Sequence, residues 1–124
     1  MAYGTANVDV IQSSAANTPV QFNDGNGTQV GTLCRAWVKF VGSSGAVSAS
    51  FNVSSVTRSG TGQYTLNFTN ALPDTNYSAN ITLNGGNAYI GTTNVFSTGN
   101  LSIYGWTAGS AFFDASNVCV SIFR

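Results

Sequence analysis

The chain contains no histidine and no glutamate, and only eight of its 124 residues are charged, four acidic and four basic. Acid–base catalysis draws mostly on histidine and glutamate, so that chemistry loses its usual carriers. Nucleophilic catalysis needs a base beside serine or cysteine, and Lys39 is the only lysine. It shares a strand face with Arg35 and Trp37, which reads as a solvated position. Glycoside hydrolysis needs two carboxylates at a defined separation, and the candidates are Asp9, Asp24, Asp74 and Asp114. Asp24 and Asp74 lie in turn-forming sequences, Asp9 in an irregular opening stretch, and Asp114 beside a loop after Phe112-Phe113. The expectation is a non-enzyme without a cofactor. A net charge of zero lacks the basic excess of a nucleic-acid binder. Alanine, glutamate, lysine, leucine and arginine are too scarce for a long helix.

Cysteine is equally sparse. Cys34 and Cys119 have no CxxC spacing and no histidine near them, so they cannot complete a tetrahedral zinc site. They read as two buried, reduced thiols, the alternative being a bridge between an early strand and the last one. Asp24-Gly25-Asn26-Gly27-Thr28 lacks the closing glutamate of a calcium loop and reads as a hairpin turn. The first twenty residues have neither a basic start nor a long apolar run, which points to synthesis and folding in a cytosol. No stretch approaches the length of a membrane span.

What the chain does have is asparagine, serine, threonine and glycine, together 57 residues, alongside 43% apolar and 12% aromatic content. That is enough apolar material for a core. Alternation at period two recurs along the chain, while no helical period is sustained. In Cys34 to Val41, the residues Cys34, Ala36, Val38 and Phe40 share one face; Arg35, Trp37, Lys39 and Val41 share the other. Val47, Ala49 and Phe51 alternate next, and 53–59 continues that strand or forms another. Gln63 to Thr69 places Tyr64, Leu66 and Phe68 inward. Further strands are expected at 77–84, 88–97, 101–107 and 117–123, with turns at 42–45, 60–62, 71–76 and 84–87. Short strands with a turn about every ten residues predict an all-β, antiparallel β-sandwich of jelly-roll-like form over 33–124. Residues 1–32 read as an irregular N-terminal segment and possible docking arm, with a strand at 7–12 and a hairpin around Asp24–Gly27.

Two surfaces stand out. The last strand is apolar on both faces apart from Ser121, and Trp37 lies opposite a core face; strands apolar on both sides need cover on both sides. Trp37, Val120, Ile122 and Phe123 are therefore expected at a homo-oligomer interface, which neutrality favours. In the last third, aromatics are interleaved with amide, hydroxyl and glycine residues. Such a mixture suits sugar rings, with apolar C–H patches rimmed by hydroxyls, or adaptable protein contacts. Asn87, Tyr89, Tyr104, Trp106 and Phe112 are the expected recognition residues.

The segments 31–40, 49–56, 60–68, 72–77 and 118–124 resemble a module of tail-fibre and related virion proteins of tailed bacteriophages, particularly marine and cyanobacterial ones. The stretch Gly31-Thr32-Leu33-Cys34-Arg35-Ala36-Trp37-Val38-Lys39-Phe40 carries most of that resemblance, and the opening Asn7-Val8-Asp9-Val10-Ile11-Gln12-Ser13-Ser14 is similar to the start of short fibre-like proteins. The resemblance implies a virion structural domain, often trimeric, at the distal end of a fibre, with other virion proteins and a host-surface glycan or outer-membrane component as partners. It implies no catalytic residues and no membrane insertion. A capsid or tail decoration protein is the alternative reading, and a stand-alone carbohydrate-binding module a second.

Overall fold

The computed structural model describes residues 21–23, 28–30, 34–85 and 88–124. By its internal contacts the chain divides at Thr32/Leu33 into two units. In the first, strands β1 (Gln21–Asn23) and β2 (Thr28–Val30) pair antiparallel, Gln21 opposite Val30. These strands flank Asp24–Gly27. The strand expected at 7–12 lies outside the described residues.

The second unit carries eight strands in two four-stranded antiparallel sheets. Strands β3 (Cys34–Phe40), β4 (Val47–Phe51), β7 (Ser78–Asn84) and β10 (Asn117–Phe123) form the first, in the order β4-β3-β10-β7. Strands β5 (Val53–Gly60), β6 (Gln63–Phe68), β8 (Tyr89–Phe96) and β9 (Asn100–Thr107) form the second, in the order β5-β6-β9-β8. The described unit is thus an antiparallel β-sandwich. Its connectivity departs from the jelly-roll-like expectation: β3–β4, β5–β6 and β8–β9 stay within one sheet as hairpins, and only β4–β5, β6–β7, β7–β8 and β9–β10 cross between sheets.

Period-two alternation accounts for the core. Ala36, Val38 and Phe40 from β3 and Val118, Val120 and Ile122 from β10 meet Tyr64, Leu66 and Phe68 from β6 and Leu101 and Ile103 from β9. Phe40 meets Tyr64 edge-on, with ring centroids 5.0 Å apart. Burial of this apolar surface is the main force holding the sheets together. Outward positions between these residues are Thr65, Asn67, Ser102 and Ser121, together with Trp37, Lys39 and Cys119. Strand β4 is the exception, exposed at every position.

The β4–β5 corner turns on Asn52. This residue adopts a left-handed backbone (φ 55°), open to asparagine at lower cost than to most side chains. Its Nδ2 donates to the carbonyls of Arg35 and Asn70 (3.1 Å each), and its Oδ1 accepts from the Asn70 N–H at 2.8 Å. One side chain thereby ties the chain crossing between the sheets to the loop after β6.

The structure corrects two expectations. Val120 and Ile122 are buried within the core, because the parity of β10 turns Val118, Val120 and Ile122 inward and Cys119, Ser121 and Phe123 outward. They are unavailable for an interface between copies; Trp37, 40% exposed, and the half-buried Phe123 stay on the outer face. The cysteines are free, Cys34 half-buried and Cys119 exposed rather than both buried. In the β3–β10 register Cys34 lies opposite Phe123 and Cys119 opposite Lys39, so the thiols are four positions apart along β10 and five along β3. That separation, about 13 Å along a strand, exceeds the span of a disulfide.

Candidate functional site

The outer face of the second sheet is built by the β8–β9 hairpin and the segment after β9. In β9, Leu101, Ile103 and Gly105 turn inward, which sends Ser102, Tyr104 and Trp106 outward. Gly105 is where the chain folds back on itself. Its N–H donates to the Gly62 carbonyl at 2.7 Å, and its carbonyl accepts from the Phe113 N–H at 3.0 Å. A side chain there would fall 2.9 Å from the Phe113 carbonyl, so the close approach needs glycine. The return is made by a tight turn in which the N–H groups of Ser110 and Ala111 bond Thr107, with Ser110 at φ 63°. It brings Phe112 opposite Trp106.

Three rings meet there. Phe112 stacks on the Trp106 indole with centroids 4.1 Å apart and planes 25° apart, and Tyr104 meets both edge-on at 5.5 Å and 6.0 Å. Polar groups of β8 fix the rings: Trp106 Nε1–H donates to Thr92 Oγ1 (3.0 Å), and Asn94 Nδ2 donates to the Tyr104 hydroxyl (2.7 Å). Cross-strand register then orders the face. Ile90 lies beside Trp106, Thr92 and Gln63 flank Tyr104, and Val95 and Thr65 flank Ser102. Phe112 is 38% exposed and Ile90 52%, so the platform is open to solvent. Arg58 is the only charged residue in the four strands, and its register with the inward Tyr64 takes it off this face. The face offers apolar ring surface grading into hydroxyls and amides, without a formal charge.

Behind the platform, Asp114 latches the returning segment. Its carboxylate accepts from the Gly62 N–H (2.8 Å), the Tyr64 hydroxyl (2.7 Å), Arg58 Nε (3.2 Å) and Arg58 Nη2 (2.6 Å). Burial pushes the Asp114 carboxyl up, but Arg58, the Gly62 N–H and the Tyr64 hydroxyl outweigh it and hold it below its ordinary value. The Tyr64 hydroxyl is driven well above its usual value, by burial first and by its bond to Asp114 second. Sequence reasoning placed Asp114 near a loop and missed this role, since its three partners come from a distant hairpin.

Of the expected recognition residues, Tyr104, Trp106 and Phe112 come together, and Tyr89 does not join them. Parity puts Ile90 outward and Tyr89 with Gly91 inward, where Tyr89 stacks flat on Phe113 (4.3 Å, 8°). Asn87 lies outside the described residues. Thr92, Asn94, Ile90 and Gln63 were not anticipated, and the alternation within 89–96 was the available signal. Among the described residues, no group of three cysteine, aspartate or other metal-ligating side chains converges. Comparison with protein-family models, curated proteins and solved structures finds no match to the chain.

Proposed function

We propose that this chain is a non-enzymatic virion module of the tail-fibre-tip kind, trimeric, that recognises a host-surface saccharide through the Tyr104–Trp106–Phe112 platform. The observation carrying this reading is the uncharged, solvent-open aromatic cluster bordered by Thr92, Asn94 and Gln63. Sugar rings present C–H faces that lie on aromatic surface, while their hydroxyls exchange hydrogen bonds with amides and hydroxyls. The rings are locked by packing and by β8 hydrogen bonds, so little ordering entropy opposes binding. The virion setting is supported by the resemblance of residues 31–40 and the other segments to fibre proteins. Weak single sites suffice in that setting, because several copies on one particle raise the effective affinity.

The test is binding of the purified chain to a panel of neutral oligosaccharides and to intact host cells, with Trp106→Ala and Tyr104→Ala compared to the unaltered protein. Loss of about 1.4 kcal/mol or more, a tenfold weakening, is expected for Trp106→Ala with the β-sheet circular dichroism retained. Unchanged binding by both folded variants would remove the platform from recognition.

A further inference from the structure

The two sheets differ in charge. The four strands of the first sheet hold Arg35 and Lys39, both outward on β3 and on either side of Trp37. The other two cations are engaged, Arg58 with Asp114 and Arg124 with Asp74, whereas Arg35 and Lys39 pair with no acidic group among the described residues. Beside Arg35, at the β4–β5 corner, lies an open cleft of about 420 Å³. Arg35, Phe51, Asn52, Thr69, Asn70 and Leu72 contribute to its lining. Leu72 is buried, and Phe51, directly opposite Trp37 in register, is 55% exposed.

The cleft is held in shape by the hydrogen bonds from Asn52 to Arg35 and Asn70, and by the Leu72 N–H to the Thr98 carbonyl at 2.8 Å. Its binding groups are unspent. The side-chain amide of Asn70 and the hydroxyl of Thr69 make no hydrogen bond among the described residues, and the Arg35 guanidinium has no carboxylate there. A guanidinium fork matches a carboxylate with two parallel hydrogen bonds, an exposed phenyl ring takes a C–H face, and an amide with a hydroxyl takes ring hydroxyls.

We propose that this cleft is a second saccharide site, specific for an acidic sugar whose carboxylate pairs with Arg35 and whose ring lies against Phe51. It rests on the saccharide-recognition reading for its ligand class but uses none of the residues of the neutral platform. Two sites of different charge preference, one on the outer face of the second sheet and one at the β4–β5 corner, would let one domain engage a mixed, partly acidic surface polysaccharide.

The experiment is a nuclear magnetic resonance titration of the ¹⁵N-labelled full chain with a trigalacturonate, its methyl ester, and a sialylated trisaccharide. Saturable amide shifts at Arg35, Phe51 and Asn70 are expected with at least one acidic sugar. Esterification, which keeps the ring and removes the charge, and Arg35→Gln should each weaken binding by about tenfold. Lys39→Gln removes the same charge outside the cleft and should weaken it by less than about threefold, the scale of an exposed charge. Arg35 is exposed, so its variant should retain the fold, which the same spectra report. Three results would each overturn the site: no shifts with either acidic sugar, equal binding of the ester, or equal losses for Arg35→Gln and Lys39→Gln. Shifts confined to Tyr104–Phe112, abolished by Tyr104→Ala with Trp106→Ala but untouched by Arg35→Gln, would overturn this site while supporting the neutral platform. Retained cleft shifts in that double variant, with neutral sugars no longer bound, would support both.

Discussion

One carboxylate, that of Asp114, satisfies a backbone N–H, a buried phenol and an arginine on a neighbouring hairpin. Asp114→Asn keeps the shape but removes the charge, and a cost of about 2–3 kcal/mol at neutral pH is expected from lost charge-assisted hydrogen bonds. Chemical denaturation measures it. A shift in Trp106 fluorescence should accompany it, since Phe112 is only two residues from the latch. Titration of the unaltered chain follows the same groups. Asp74 is held down to about 2 by the Arg124 side chain and then the Asn76 N–H, and Asp114 is also depressed. A carboxyl depressed in the folded state stabilises above its unfolded value of about 4 and loses that contribution as pH falls through the folded value. Tyr64 and Tyr77 are raised, chiefly by burial, so they favour the folded state until pH climbs above about 10. With no histidine or glutamate in the chain, these groups predict a stability plateau from about pH 5 to 9. Melting temperature against pH checks it, and a step near pH 6–7 would contradict it.

Among the elements, the β4–β5 corner governs how the two sheets share one chain. Asn52→Gly retains access to the left-handed backbone but loses three hydrogen bonds, whereas Asn52→Ala loses both. The glycine variant should cost about 1–2 kcal/mol and the alanine variant about 1 kcal/mol more, read from denaturation midpoints. Equal costs would mean that the hydrogen bonds, and not the backbone geometry, set the corner. The β8–β9 hairpin is the matching element on the other side. Its threonine and asparagine hold the rings of β9, so two of the three rings of the proposed recognition surface are set by paired strands and Phe112 by the segment that returns after β9.

For the whole molecule, an uncharged aromatic face contrasts with a face on which Arg35 and Lys39 have no acidic partner among the described residues, and the two proposed sites would differ in charge preference accordingly. Trp37 and Phe123 are left for the proposed trimer, since Val120 and Ile122 belong to the core, and because they border Arg35 and Phe51 a trimer closed over this face would compete with the acidic-sugar cleft. Light scattering of the purified chain should give about 38 kDa, three times the 12.8 kDa chain mass. Trp37→Lys should lower it to one chain without unfolding, because Trp37 lies on the surface. A 12.8 kDa species from the unaltered chain would retire the trimer.

By itself the sequence determined the all-β class, where the strands of the second unit lie, apart from whether 53–59 was a strand of its own, and most of their inward faces. Alternation such as Tyr64, Leu66 and Phe68 against Thr65 and Asn67 is a local consequence of strand geometry and needs no partner to be read. It also placed Tyr104, Trp106 and Phe112 together, because β9 and the chain just after it are neighbours along the sequence. Only the tertiary structure decided that Tyr89 faces away, that β4 lies exposed, that Val120 and Ile122 are core, and that the cysteines lie too far apart to bridge. Each depends on which strand pairs with which and in what register. A hydrophobic alternation does not state its partner, and a run apolar on both faces does not state which face the opposite sheet covers. The Asp114 latch and the Arg35 cleft were hidden for the same reason. Their groups are distant in the chain and meet only when β5, β6 and the returning segment, or β3, β4 and the loop after β6, are packed against one another.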